Sequence, residues 1–275
     1  DQQIDTLRGT LSPAVYTPGN FPDCEGNEAC TNNQQYDEVN QCASGVDCSV
    51  TCSGTRACEG MTLNATAAAS LDLRCSGYQA CRSMTVRGPT APGAVVDVRC
   101  EGADSGTCYQ MQLHAAAAAS ARFSCDVNSG GDYCGQYARI FCPGCDQDDA
   151  PDGGCAAAAN NNGGGGGAAA GACSVSCTAA KNKDWTCYSM HVYGGARGAA
   201  VTCAEAAGSG AQGTSEYTCA SLTLHAPHAA AAAAVAPVSV DCAACEGASA
   251  SSDFYRCCRY AKVDPGTRPV VRPVV

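Results

Sequence analysis

Leucine, isoleucine and aromatic rings build most protein cores, and this chain of 275 residues has few of them. It holds eight leucines, two isoleucines, four phenylalanines and a single tryptophan, and aromatics make up only 6 % of it. A thick conventional core is therefore not expected, because alanine and cysteine, which bury little apolar area each, fill most of the hydrophobic class. Charge is scarce as well, at 15 % of residues, and 16 basic against 26 acidic residues leave a net of -10. That balance disfavours nucleic acid and anionic membrane as partners, since both need clustered Lys and Arg. No run of strongly apolar residues is long enough to cross a bilayer, so no membrane insertion is expected. Asp1 opens no basic segment followed by an apolar one, and the expectation is a mature chain whose signal peptide has been removed.

Cysteine is abundant, at 24 residues. In a chain of this kind it points to disulfides and an oxidising compartment, hence to a secreted, extracellular or cell-surface protein. The cysteines also repeat. CEGNEAC at 24 to 30, CSGTRAC at 52 to 58 and CSGYQAC at 75 to 81 are copies of one motif. First cysteines continue at Cys100, Cys125, Cys177, Cys203 and Cys242, and second cysteines at Cys108, Cys134, Cys187, Cys219 and Cys257. Two residues before the first cysteines stand Val50, Leu73, Val98, Phe123, Val175, Val201 and Val240, with mostly polar neighbours such as Asp72 and Arg74. This period-two alternation marks a strand with one buried face. Three residues after the second cysteines stand Met61, Met84, Met111, Tyr137, Met190, Leu222 and Tyr260, read as a second inward column. Thr62, Thr85, Gln112, Ala138, His191, Thr223 and Ala261 follow as the outward column.

Each unit reads as strand, disulfide-tied loop, short strand and an Ala/Gly/Pro connection. Such a unit cannot bury its apolar face alone, so copies must stack. The expected fold is all-β, a parallel β-helix or β-solenoid of about seven disulfide-stapled turns, right-handed as parallel crossovers are. Residues 1–48 form an N-terminal cap, 49–262 the solenoid with a low-complexity insertion at 142–172, and 263–275 an extended tail. HAAAAAS at 114 to 120 is too short for a stable helix and is read as a corner.

The pairs expected to close within each unit are Cys24 with Cys30, Cys52 with Cys58, Cys75 with Cys81, Cys100 with Cys108, Cys125 with Cys134, Cys177 with Cys187, Cys203 with Cys219, and Cys242 with Cys257. Spacing leaves Cys42, Cys48, Cys142, Cys145, Cys155, Cys173, Cys245 and Cys258 unassigned. Cys142 and Cys145 have the C-x-x-C spacing of a zinc pair, but disulfides are the expectation in a cysteine-dense secreted chain, with no metal or cofactor. His114 and His225 share a repeat slot three turns apart, too far for one zinc, and His191 and His228 are read as solvated. Asp146 to Asp152 lacks the alternation and glycine of a calcium loop. Asp72 and Asp97 stack on adjacent turns beside Arg74, Arg99 and Arg122, and are expected to form cross-strand ion pairs rather than a catalytic carboxylate pair. No catalytic residue is identified. Asn64-Ala65-Thr66 is the only glycosylation sequon, and an N-linked glycan is expected at Asn64.

The CxGxxAC unit followed by Met-Thr-Leu or Met-Thr-Val resembles the cysteine-rich repeats of large surface and extracellular proteins of microalgae and other protists. That resemblance, over residues 24 to 262, implies a structural role outside the cell. Residues 1–59 carry nine acidic residues against Arg8 and Arg56, a net of -7, while residues 254–275 carry five basic residues against Asp264, a net of +4. Opposite charge at the two ends favours head-to-tail self-association into a filament. Pro269, Val270, Val271, Pro273, Val274 and Val275 would bridge subunits. The competing reading is a carbohydrate-binding or polysaccharide-cleaving β-helix, which needs a groove lined by aromatic residues such as Trp185, Tyr109, Tyr188 and Tyr193.

Overall fold

The computed structural model describes residues 24–26, 28–30, 41–102, 105–127, 133–146, 156–157, 173–179, 185–195, 198–205, 218–225, 238–244 and 261–264. Among them the chain is all-β, with no helix. After β1 (Cys24–Glu25), a long strand alternates with a three-residue one. The pairs are β2 (Asp47–Ser53) and β3 (Thr62–Asn64), β4 (Ser70–Ser76) and β5 (Thr85–Arg87), β6 (Val95–Glu101) and β7 (Gln112–His114), β8 (Ser120–Val127) and β9 (Arg139–Phe141). A short antiparallel pair intervenes, β10 (Cys145–Asp146) with β11 (Ala156–Ala157). The alternation then resumes with β12 (Cys173–Ala179) and β13 (His191–Tyr193), β14 (Ala199–Glu205) and β15 (Thr223–His225), β16 (Val238–Ala244) and β17 (Lys262–Asp264).

The long strands form one parallel sheet in the order β1-β2-β4-β6-β8-β12-β14-β16, and the short strands another in the order β3-β5-β7-β9-β13-β15-β17. Each successive repeat therefore adds one strand to both sheets. The register follows the repeat: Cys52, Cys75, Cys100, Cys125, Cys177 and Cys203 are aligned partner by partner, as are Val50, Leu73, Val98, Phe123, Val175, Val201 and Val240. β1 carries the first sheet into the segment read as a cap, and β17 runs two residues past the boundary read at 262.

Two columns read from the sequence shift by one residue. Arg139, not Ala138, aligns with Gln112 and His191, and Lys262, not Ala261, aligns with Thr223. Ala138 is thus the inward residue in its repeat and is fully buried, whereas Tyr137 is 42 % exposed. In that repeat Cys134 itself, rather than the residue before it, bridges to Thr107 and Thr186, so one extra residue separates the cysteine from the strand. Gly135 takes the place that Cys108 and Cys187 hold elsewhere. The same shift puts Ala261 opposite Leu222, while Tyr260 lies outside the described residues.

Both sheets send alternate residues into one apolar cluster. Leu71, Leu73 and Cys75 from the first sheet, Leu63, Val86, Leu113, Ile140, Val192 and Leu224 from the second, and Met61, Met84, Met111 and Met190 between them are all buried. The cysteine loops stack too. Cys58 N–H donates to the Ala29 carbonyl, Cys81 to Ala57, Cys108 to Ala80, Cys187 to Cys134 and Cys219 to Thr186, at 2.8 to 2.9 Å. To reach these partners the loops use left-handed backbone at each described second cysteine except Cys134, where Gly135 supplies it. The glycine of CxG is demanded by the stacking: a Cβ on Gly77 would lie 2.7 Å from the Gly54 carbonyl oxygen, and its φ is +113°. On the other side, the alanine connections are tight turns, with Ala65, Ala68, Ala115 and Ala118 buried.

Candidate functional site

The disulfide framework is the first feature the repeat builds. Cys24–Cys30, Cys52–Cys58, Cys75–Cys81, Cys100–Cys108, Cys125–Cys134, Cys177–Cys187 and Cys203–Cys219 each close one loop, with Cα separations of 5.6 to 6.3 Å. That span is the ordinary one for an unstrained bridge. Two further bonds, Cys42–Cys48 and Cys142–Cys173, involve cysteines that spacing alone left unassigned. They occupy one structural column. Cys42 follows Gln41, which bridges to Asn64, and so falls beside Ala65; Cys142 donates its N–H to the Tyr193 carbonyl from the equivalent place. Cys48 aligns with Leu71, and Cys173 with Ala121. The corner opposite the cysteine loops is therefore also stapled, in two repeats. The signal was in the sequence: Cys48 and Cys173 each stand four residues before a repeat cysteine.

Cys142–Cys173 closes the neck of the long insertion, which removes Cys142 from any zinc pair with Cys145. Cys145 and Cys242 are both disulfide-bonded. Cys155, Cys245, Cys257 and Cys258 lie outside the described residues. The sulfurs of Cys24, Cys52 and Cys58, and those of Cys75, Cys100 and Cys108, gather within 4.8 Å, yet all six are in disulfides and offer no thiolate to a metal. No free cysteine occurs among the described residues, and this density of bridges belongs to an oxidising, secreted or extracellular setting. No helix among them is long and apolar enough to cross a membrane.

Charged and polar side chains decorate the outer faces. Asp72 and Asp97 are neighbours on β4 and β6, but they pair along their own strands, Arg74 to Asp72 at 3.3 Å and Arg99 to Asp97 at 2.6 Å. The expected cross-strand pairing is replaced because residues two apart already share one face of a strand. Asn64 ends β3, half-buried; its Oδ1 accepts from the Thr66 backbone N–H at 3.2 Å and from the Thr66 hydroxyl at 2.8 Å, a turn that fixes the sequon. Asp146 lies in β10, and residues 147–152 lie outside the described set, as do His228 and the assembly residues Pro269, Val270, Val271, Pro273, Val274 and Val275.

Aromatic side chains form two arrays. On the second sheet His114, Phe141, Tyr193 and His225 stack face to face along the direction of strand pairing, with centroids 4.8, 4.6 and 4.4 Å apart and planes within 6°. His191, two residues before Tyr193 on the same strand, places Nδ1 3.0 Å from Nε2 of His225. It is half-buried rather than solvated, and its imidazole is held below the ordinary value of 6.5 by burial first and by Arg139 second. Sequence separation concealed this pair; residues 191 and 225 meet because their strands are adjacent and both point outward.

The second array lies on the cysteine loops, where αL backbone turns side chains outward from successive repeats. Tyr109 meets Tyr137 edge to face at 5.6 Å, Tyr137 meets Tyr188 at 5.9 Å, and Trp185 meets Tyr188 at 4.4 Å. Tyr133 joins Trp185 at 6.5 Å, and Arg82 sits 5.5 Å from the Tyr109 ring centre. Desolvation, and then the neighbouring phenols of Tyr188 and Tyr109, raise the Tyr137 hydroxyl above its ordinary range. Beside these rings opens a cleft of about 450 Å³ that also takes in Tyr78, Gln79 and Gln136. Gly106 keeps it open: a Cβ there would come 3.1 Å from Gln79 Cγ. Among the described residues, no carboxylate lines the cleft. Trp185, Tyr109 and Tyr188 thus come together, and Tyr193 belongs to the other array.

No family model, curated protein or solved structure matches this chain.

Proposed function

We propose that the chain is an extracellular structural protein, coiled as a right-handed parallel β-helix of about seven disulfide-stapled turns, N-glycosylated at Asn64 and joined head to tail into a filament or surface assembly. In this reading it is not an enzyme. The observation that carries it is the rung-by-rung repetition of one strand register and one disulfide through both sheets. Such an array closes neither sheet, and among the described residues β1 and β16 of one sheet, β3 and β17 of the other, are the terminal strands. Open edges invite pairing with another copy, and the net of -7 over residues 1–59 against +4 over residues 254–275 orients that contact. Each staple contributes about 2–3 kcal/mol by restricting the unfolded chain, which offsets a core poor in large side chains. A right-handed coil is the rule for parallel crossovers.

Negative-stain electron microscopy of the full chain and of a chain lacking residues 265–275 tests the reading. Fibres from the full chain at low salt, shortened or lost on truncation while the free-thiol content stays near zero, are the expected result. A full chain that stays monomeric at high concentration would contradict the filament.

A further inference from the structure

We propose that the aromatic cleft on the cysteine loops is a binding site for a neutral saccharide chain, independent of whether the protein polymerises. Its rings come from consecutive repeats. The hydrogen bonds Ser83 N–H to Tyr109, Gln110 to Gln136 and Tyr137 to Tyr188 set one residue per repeat in a row, so the cleft runs along the direction of strand stacking. A row of tyrosine and tryptophan offers apolar faces for the C–H sides of pyranose rings, with phenol and indole polar ends for hydroxyls. Gln79, Gln136 and Arg82 add amide and guanidinium donors at the walls. Clefts of this size with a mainly aromatic lining and a few convergent polar groups are the usual form of a ligand site.

Charge narrows the ligand. Arg82, the sole cation among the described residues of the lining, is partnered by Glu59 at 3.7 Å. With no carboxylate among those residues to meet a polycation, and the one cation already paired in a chain of net -10, neither a polycation nor a polyanion finds complementary charge on them. Aromatic grooves also receive proline-rich peptides, and residues 265–275 contain three prolines. That segment brings Arg268 and Arg272 to a lining whose one charge among the described residues is Arg82, so the uncharged polyhydroxylated chain fits better.

Trp185, the only tryptophan in the sequence, stands in the lining and reports directly. The full chain is titrated with hexasaccharides of β-1,4-glucose, β-1,3-glucose, β-1,4-mannose and β-1,4-xylose while tryptophan emission is followed. At least one should give a saturable change, weakened about tenfold by Tyr109→Ala, the loss expected for one stacked ring. The exposed Tyr137→Ala serves as a second variant if the first does not fold, and Tyr193→Ala, in the other array, should bind like the parent. Three results would overturn the proposal: no response to any of the four saccharides up to about 10 mM, equal binding by the folded Tyr109→Ala and Tyr137→Ala chains, or a response only to a peptide of residues 265–275.

Discussion

Phe123 is the largest inward residue of its column, where the other repeats carry valine or leucine, and Ala138 stands where most repeats carry methionine. The two belong to the same repeat. A Cβ built on Gly135 would sit 3.5 Å from the Phe123 ring and 3.0 Å from Met190 Cε, so the phenylalanine fills the room that Ala138 and Gly135 leave. Ala138→Met should overpack the site and Phe123→Val should open a cavity, each costing about 1–3 kcal/mol. The double substitution restores the volume and should recover most of the loss in thermal midpoint with disulfides intact. Strictly additive losses would show that the two side chains do not share a space. Counting from the cysteines placed Tyr137 here instead, because the extra residue after Cys134 leaves no trace in the spacing of cysteines alone. Composition did hold a hint, since Tyr137 and Tyr260 broke a column otherwise filled by methionine and leucine.

Strands were the most legible elements. Alternation of apolar and polar residues fixed the long strands, and Met-Thr-Leu and its variants fixed the short ones, because a one-residue slip would expose every inward side chain. What alternation could not show is which outward side chains meet across repeats, since that depends on strand order and on the insertion of varied loops. The His114, Phe141, Tyr193 and His225 stack is such a case, with the contact of His191 and His225 beside it. Because burial and Arg139 hold the His191 imidazole below its ordinary 6.5, the unfolded chain takes up a proton that the folded one refuses. The stability this residue contributes is therefore complete above that value and is lost as pH falls below it. Thermal midpoints should fall as pH drops below about 6.5, where the unfolded imidazole takes up its proton, and His191→Asn should flatten that fall. An equally steep decline in the variant would place the sensitivity elsewhere. The cleft was even less legible: its rings sit in loops of different length, and only the loop-to-loop hydrogen bonds bring Tyr109, Tyr137 and Tyr188 into line.

At the scale of the molecule, stability rests on local closure repeated along a stack, an arrangement in which each repeat depends on its neighbours. Its sequence signature was clear in the cysteine motif, and the second corner of staples was present in Cys48 and Cys173 as cysteines four residues before the repeat. The competing arrangement is close at hand, because sulfurs of adjacent repeats, such as Cys75, Cys100 and Cys108, already lie within 4.8 Å of one another. Pairing between repeats would make a chain tied along its length. Proteolysis without reduction, followed by mass spectrometric mapping of cross-linked peptides, separates the two directly. The account predicts Cys75–Cys81 and Cys100–Cys108 as separate local bonds, Cys42–Cys48 and Cys142–Cys173 at the other corner, and no free thiol. It also predicts Cys242, which is disulfide-bonded, joined to Cys257, the partner read from the repeat. Cross-links from Cys75 to Cys100 or Cys108, or several reactive thiols per chain, would contradict it.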